Sequence, residues 1–527
     1  MPNQKTKVAI YWCRRDFRLT DNRALTEALA ICEAQNIILM PLYILDDKLL
    51  GVDSWNIGHN RRYFLSQVLA HFAFQFEHLN ILIGKTDEIF TKLAQEFELN
   101  IFVNDDIEPY SRIRDKKINQ IVTDNQGQFQ SFTDQLTIDD ELVSGSGNVY
   151  SVFSPYRNAG FENFLQAQVF EKVDTDKLKH FNQLSLKDSK LQDFCGRNFR
   201  ALNNSKDINS LQKQIFGLID KLNVLFIKNP TDTVSIDIDS LVPRTNIDKY
   251  WYYNETQALE HFQNYVDTKL INYKEARDNL GWDVDETNDF VNDSIVGGQT
   301  SRMSAAFKWG LVSARTAKQM ILKKFGREQA LANQNIYHYL SELIWREFYR
   351  YTLWHRPNLL DVEFQAKYQN DTIQWLYGDQ ALARFQAWVK GQTGYPVVDA
   401  CMNQINKMGW MHNRGRMIVA SILTKNLGIN WRWGQEYFRI MLVDLDEASN
   451  NGGWQWASSV GADPKPIRIF NPYTQAENYD KAQKYQSKWL PTDYNHKKPP
   501  LIEHKIAREE ALKRYKLNIQ KNSIRDF

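Results

Sequence analysis

The stretch Lys7-Val-Ala-Ile-Tyr-Trp-Cys-Arg-Arg-Asp-Phe17 decides how the first part of the chain folds. An unbroken apolar run follows Lys7, too short for an ordinary helix and rich in β-branched and aromatic types. Residues 7–17 therefore read as a strand buried on both faces. Working outward, 26–36 reads as a short helix, 37–45 as a second apolar strand and 61–80 as an amphipathic run. Residues 80–84 and 101–104 read as short strands on either side of a helical 86–98. This alternation predicts an α/β domain, a doubly wound parallel sheet (Rossmann-like) with helices on both faces. Ligands of such sheets bind beyond the carboxyl ends of the strands. No Gly-x-Gly-x-x-Gly follows the first strand, so the ordinary dinucleotide fingerprint is absent.

The pattern degrades from about residue 144. Ser144-Gly-Ser-Gly147 is a loop signal, and 172–240 is polar with short apolar pieces. Residues 141–245 are expected to be a long interdomain connector containing a little helix. Beyond about 247, apolar residues recur at helical spacing over 313–325, 336–354, 381–389, 397–408 and 417–427. That predicts an all-α domain. A charged helix over 505–521 is expected on the surface. The boundaries are then 1–140 for the sheet domain, 141–245 for the connector, 246–495 for the helical domain and 496–527 for a basic terminal helix.

Composition narrows the function. The 527 residues carry 65 basic and 63 acidic side chains, and 43% are hydrophobic, which excludes disordered and collagen-like classes. No run of about 18 apolar residues is present, which argues against a membrane span. Met1–Thr6 lacks the apolar core of a signal peptide. Cys13, Cys32, Cys195 and Cys401 form neither a disulfide framework nor a Cys-x-x-Cys metal pair. A soluble, metal-free, cytoplasmic protein is expected. Residues 1–250 have 29 basic and 33 acidic side chains, whereas 251–527 have 36 and 30, together with 13 of the 15 tryptophans. Basic charge with aromatics suits a nucleic acid or a large planar ligand, while a Trp-rich helical core with solvated basic faces is the plainer reading.

The densest segment is Asp444-Leu-Asp-Glu-Ala-Ser-Asn-Asn-Gly-Gly-Trp-Gln-Trp-Ala-Ser-Ser459. Its carboxylates, amides, glycine pair and two tryptophans read as a polar and aromatic wall rather than a core helix. Gly409-Trp-Met-His-Asn-Arg-Gly-Arg-Met417 and Ser341-Glu-Leu-Ile-Trp-Arg-Glu-Phe-Tyr-Arg350 each set Trp and Arg within helical reach of a polar side chain. Arginine suits phosphate or carboxylate, and Trp offers a stacking face. Structural ion pairs and core packing remain open for each segment alone.

Together these segments closely resemble the photolyase/cryptochrome family. The opening run from Trp12 to Leu25 is similar to its N-terminal signature. So are Thr300-Ser-Arg-Met-Ser304, Glu342-Leu-Ile-Trp-Arg-Glu-Phe-Tyr349, Lys390-Gly-Gln-Thr-Gly-Tyr-Pro-Val-Val-Asp399 and Arg468-Ile-Phe-Asn-Pro-Tyr-Thr-Gln475, in family order. Asn450-Asn-Gly-Gly-Trp-Gln-Trp456 is most like the class I cyclobutane pyrimidine dimer photolyases. The resemblance implies FAD in the helical domain, held by Tyr273, Thr300, Ser301, Arg302, Met303, Ser304, Tyr339, Glu342, Arg346, Asn413, Arg416, Asp444, Asp446 and Asn450. Arg416 and Asp444 match a charge pair beside the flavin. Asn450 matches a neutral amide that does not repel reduced, anionic flavin. Tyr339 stands where some relatives carry Trp.

For a substrate, the resemblance implies a flipped dimer cradled by Trp345 and Trp456, with Glu342 on its base edge and Met417 packed against it. Relatives that repair the other ultraviolet photoproduct usually carry His where Met417 stands. Arg277, Asn413, Arg414, Lys465, Arg468 and Gln475 match DNA contacts. Trp454, Trp431 and Trp375 match a chain that carries electrons to the flavin from the surface, though each alone reads as a core Trp. Asp106-Ile-Glu-Pro-Tyr-Ser-Arg-Ile-Arg-Asp115 looks like the antenna segment of deazaflavin-binding members, with Tyr110-Ser111 where folate binders carry Asn-Glu. The implied protein is a monomeric, FAD-dependent lyase acting on ultraviolet-damaged DNA, without membrane or obligate protein partner. A cryptochrome-type photoreceptor is the alternative, and a flavoprotein binding undamaged nucleic acid a third.

Overall fold

The structure is a computed structural model and describes residues 5–47, 57–76, 78–138, 141–202, 207–228, 232–282, 299–369, 372–462 and 467–522. Strands β1 (Lys7–Trp12), β2 (Ile38–Leu45), β3 (Asn80–Ile83), β4 (Glu98–Asn104), β5 (Gln128–Phe132) and β6 (Arg200–Ala201) form one sheet in the order β5-β4-β1-β2-β3-β6. The first five are parallel; β6 runs antiparallel to β3. Alternation along β1 explains its continuous apolar run. Ala9 and Tyr11 face a core shared with helices Arg23–Gln35 and His59–Ala73. Val8, Ile10 and Trp12 face helices Thr86–Glu96 and Pro109–Asp124. Both sides are dry, as a doubly wound sheet requires.

β1 ends at Trp12, five residues before the expected end. Asp16 closes a turn there: its carboxylate accepts from the Arg14 backbone N–H at 2.9 Å and from the Tyr11 hydroxyl at 2.8 Å. A local side-chain acceptor of this kind competes with the strand ladder. The expected 417–427 helix is Asn413–Ser421 followed by a π-turn, Ile422–Asn426. His412 caps its start, with Nδ1 accepting from Arg414 N–H at 3.1 Å.

The connector is more ordered than its polarity suggests. It holds helices Phe153–Gln166, Thr175–Lys187, Ser189–Asn198 and Ile208–Ile219, and a hairpin of β7 (Val224–Lys228) and β8 (Thr233–Asp237). Asp174, Asp188 and Asp207 cap three of these helices, so part of the polarity marks helix starts. Leu178, Phe181, Leu211, Ile215 and Ile219 are buried in the core shared with β2 and His59–Ala73. The terminal helix His504–Asn522 is likewise not merely a surface helix. Ala507, Ala511 and Tyr515, spaced four apart, are fully buried.

The sheet and helical parts are clamped together by buried charge. Arg18 and Arg315 share Asp134 (2.5 and 2.7 Å), and Arg315 also reaches Asp21 at 2.9 Å. Burial alone would raise the Asp134 carboxyl; the two guanidiniums outweigh it and bring it down to about 2. Glu255 accepts from the Leu19 and Thr20 backbone N–H groups, and Glu347 from those of Thr137 and Ile138. Much of the N-terminal signature therefore joins domains. No helix among the described residues is long and apolar enough to cross a membrane.

Candidate functional site

The 22-residue helix Gln334–His355, capped by Asn333, sets Glu342, Trp345, Arg346 and Tyr349 one turn apart on one face. Opposite lies Glu447–Ala457, capped by Asp446, whose carboxylate accepts from Ser449 N–H at 2.9 Å. Asn450 and Trp454 share a face of that helix. The Asn450 amide donates to the Gln435 carbonyl at 3.2 Å.

The 300–304 segment is pinned from several sides. Tyr339 donates to Ser301 Oγ at 3.1 Å, Tyr252 to the Arg302 carbonyl at 3.2 Å and His261 to the Ser301 carbonyl at 2.8 Å. Trp410 Nε1–H reaches Ser304 Oγ at 3.1 Å. Arg302 adopts a left-handed φ of 49°, and Met303 is buried with its sulfur 3.3 Å from the Tyr252 hydroxyl. Tyr273 packs edge-on to Tyr339 at 5.0 Å. Sequence reading missed Tyr252 and His261, because they act through this segment from distant positions; Trp410 stood in a segment singled out for its Trp and Arg, without this role. Burial brings the His261 imidazole down to about 4, so it is neutral where it holds the loop.

Arg416 Nη2 meets Asp444 Oδ2 at 2.7 Å, and its Nε–H reaches the Met411 carbonyl. The other oxygen, Asp444 Oδ1, is buried without a hydrogen-bond partner. Arg346 donates to the Phe307 carbonyl, and burial pulls its guanidinium down to about 9. Asp446 is already committed: besides the cap, its Oδ2 accepts from Arg350 at 2.7 and 3.2 Å. The expectation that Asp446 meets a cofactor therefore has less support than that for Asp444. An orphaned acceptor, a hydroxyl-bearing loop and two nearby guanidiniums fit a ligand with N–H donors and phosphates, as FAD has.

Trp345 and Trp456 line one small cavity, about 30 Å³, with Tyr349 and Gly452. Each has one ring face covered: Trp345 stacks on Phe153 at 3.6 Å, and Arg468 lies 5.2 Å from the Trp456 centroid. Asn413, exposed, approaches Met417 Sδ at 3.9 Å. Arg277 pairs with Glu342, and Arg414 with Asp278. Gln475 Oε1 is buried without a partner. Lys465 lies outside the described residues. Trp454, Trp431 and Trp375 are 2%, 0% and 7% exposed. Trp375 is thus not at the surface as expected; Tyr515 of the terminal helix covers it edge-on at 6.1 Å.

A second cavity, about 300 Å³, opens at the carboxyl ends of β1, β2 and β4, between the sheet and the helical part. Arg15, Glu108, Tyr110, Ser111 and Lys308 line it. Burial pulls the Lys308 amine down to about 8.

Family models describe two parts of the chain: "DNA photolyase" over residues 9–174 and "FAD binding domain of DNA photolyase" over 339–523. A deoxyribodipyrimidine photo-lyase of Synechococcus sp. is 32% identical over 490 residues, covering 92% of this chain and 87% of its own. One from Alkalihalophilus pseudofirmus is 30% identical, covering 97% and 93%. The crystal structure of a bacterial class III photolyase from Agrobacterium tumefaciens superposes with a TM-score of 0.74 at 26% identity, over 98% of this chain and 99% of that one.

Proposed function

The chain belongs to the photolyase/cryptochrome family, and on that premise we propose how its residues divide the work. The activity is light-dependent repair of cyclobutane pyrimidine dimers in ultraviolet-damaged DNA, with FAD as cofactor. When bound, FAD would supply light-driven one-electron chemistry at the dimer, the electron returning once the ring has opened.

Around that group the chain binds, orients and excludes water. Ser301, Arg302 and Ser304, with Thr300 and Tyr273, hold the phosphate end; His261, Tyr252, Tyr339 and Trp410 keep the segment in place. Asp444 Oδ1 accepts a ring N–H, while Arg416 balances its charge. That buried, unpartnered oxygen is the observation that carries the residue assignment. Asn450 adds no charge next to the ring, and Arg346 supplies a cation from the facing helix. Trp345 and Trp456 take the flipped dimer between them, Met417 packs on it and Glu342 accepts from its base edge. Arg277 and Arg414 meet the flanking phosphates, with Asn413, Arg468 and Gln475 along the rim. Trp454, Trp431 and Trp375 feed electrons inward. Splitting a cyclobutane needs an electron and a polar pocket, and no general acid is required where Met417 stands.

The larger cavity is assigned to a second, light-harvesting chromophore of deazaflavin type, because Tyr110 and Ser111 both line it. Stoichiometric folate recovered with the purified protein would exclude that choice. Residues 1–140 and 246–495 are the two functional domains, joined by the connector 141–245 and followed by the terminal segment 496–527. The deciding experiment incubates reduced protein with an irradiated oligonucleotide under blue light and counts dimers. Loss of dimers only in the light supports repair. A flavin that cycles in the light while dimers persist would leave the photoreceptor reading.

A further inference from the structure

The two arginines assigned to phosphate are already neutralised. Arg277 Nη1 is paired with Glu342 Oε1. Arg414 Nη2 lies 2.7 Å from Asp278 Oδ2, and Asp278 Oδ1 lies 3.8 Å from Arg277 Nε. Two guanidiniums thus face two carboxylates, with no net charge. Tyrosine rings fix them further: Tyr273 is 5.5 Å from Arg277, and Tyr479 is 4.1 Å from Arg414. The arginine side chains are only 20% and 11% exposed, so the pairs are not loose surface contacts.

A cation drives DNA binding by neutralising a phosphate and releasing its counterions. One that is held by an internal carboxylate must first lose that partner, and the carboxylate left behind repels the phosphate. The two carboxylates differ in what else they can bond. Asp278 follows Arg277 directly and lies against both guanidiniums. Glu342 stands one helical turn before Trp345, on the same helix that lines the proposed dimer pocket. A flipped thymine presents its N3–H there, a donor that a carboxylate accepts well.

We propose that the Arg277–Glu342 ion pair is a lesion-dependent latch. On undamaged DNA Glu342 keeps Arg277, and that phosphate contact is not made. When a dimer enters the pocket, its base edge takes Glu342, and Arg277 turns to the backbone. Discrimination is thereby gained from a phosphate contact that carries no sequence information itself. Asp278 restrains Arg414 whether or not a lesion is present. The latch rests on the proposed roles of Arg277 and Glu342, and the test separates the two levels.

Affinities of the FAD-loaded protein for dimer-containing and undamaged oligonucleotides are measured across a salt series. Arg277→Gln should lower the slope of log K against log[salt] by about 0.9 on dimer DNA and leave the undamaged slope unchanged. Glu342→Gln should do the reverse of a simple loss. Undamaged DNA gains up to about 0.9 in slope, which is roughly threefold in affinity for a fourfold salt dilution. The slope on dimer DNA stays put. Adding Arg277→Gln to Glu342→Gln should cancel the gain. Asp278→Asn should steepen both substrates alike. Equal shifts on both DNAs in Glu342→Gln, or an equal slope loss on both in Arg277→Gln, overturn the latch while keeping Arg277 on the DNA. No change on either DNA in Arg277→Gln removes the contact itself. Should Glu342→Gln lose FAD, the Arg277→Gln comparison alone decides.

Discussion

Gly434 lies on helix Trp431–Met441 with the ring of Trp454 lying against it. A Cβ there would sit 2.5 Å from Trp454 Cζ3, closer still to Cη2, and 2.7 Å from Leu423 Cδ2. Carbon atoms pack at about 3.5–4.0 Å, so Gly434→Ala requires a retreat of more than about 1 Å. Neither neighbour has room. Leu423 is fully buried, and Trp454 is held edge-on by Phe438 at 5.0 Å and Trp388 at 6.2 Å. Overpacking of this kind costs about 1–3 kcal/mol, and a rigid ring puts the site at the upper end. Alanine returns about 1 kcal/mol of helix propensity over glycine. Packing wins, and a net loss of about 2 kcal/mol is expected. The displaced indole should also slow light-driven reduction of the flavin from an external reductant. Thermal melting and flavin absorbance under blue light read the two effects on one preparation. An unchanged or raised melting temperature together with parental photoreduction would refute the reasoning, because propensity would then have outweighed the clash.

Trp375→Phe keeps the aromatic packing against Tyr515 but is much harder to oxidise; photoreduction should slow markedly while chemically reduced protein still splits dimers at the parental rate. Untouched photoreduction would mean that electrons enter elsewhere. Trp345→Ala removes base stacking worth about 1–3 kcal/mol, so preference for damaged over undamaged DNA should fall about tenfold or more. FAD content should survive, and its loss would reassign Trp345 to the flavin pocket. Burial lowers His261 from 6.5 to about 4, so between those values the unfolded chain binds a proton that the native chain refuses. Stability should therefore fall as pH drops through that window, by about 3 kcal/mol. His261→Gln, which keeps a donor for the Ser301 carbonyl, should flatten that part of the melting profile; an unaltered profile would place the acid sensitivity elsewhere.

The parallel sheet was legible because β1 is apolar on both faces and no helix periodicity competes with it. Its end was not, since Asp16 stops the strand with a side-chain contact that pattern alone does not show. The connector was under-read because capping aspartates raise its polarity, although Leu211, Ile215 and Ile219 keep a helical stripe. The terminal helix hid the same signal in Ala507, Ala511 and Tyr515. At the site, the faces of 334–355 and 447–457 were visible as dense motifs. His261 was not, although a polar residue beside the buried Ala258, Phe262 and Tyr265 is the clue that could have raised it. Asp278, one acidic residue among many in the sequence, acquires meaning only when Arg414 is brought to it across more than a hundred positions.

The two-residue strand β6 and the helices around it bear on how the molecule can be cut. They come from the connector, yet β6 occupies the hydrogen-bonding side of β3 that would otherwise end the sheet, and Phe181 and Ile215 lie in the core beneath. A fragment ending near residue 140 would leave β3 with an open edge beside a bare apolar surface, the combination that recruits other chains into aggregates. A soluble preparation of the chromophore domain must therefore extend through residue 219 at least, and the natural place to divide the polypeptide lies well beyond the point where the repeating strands and helices stop.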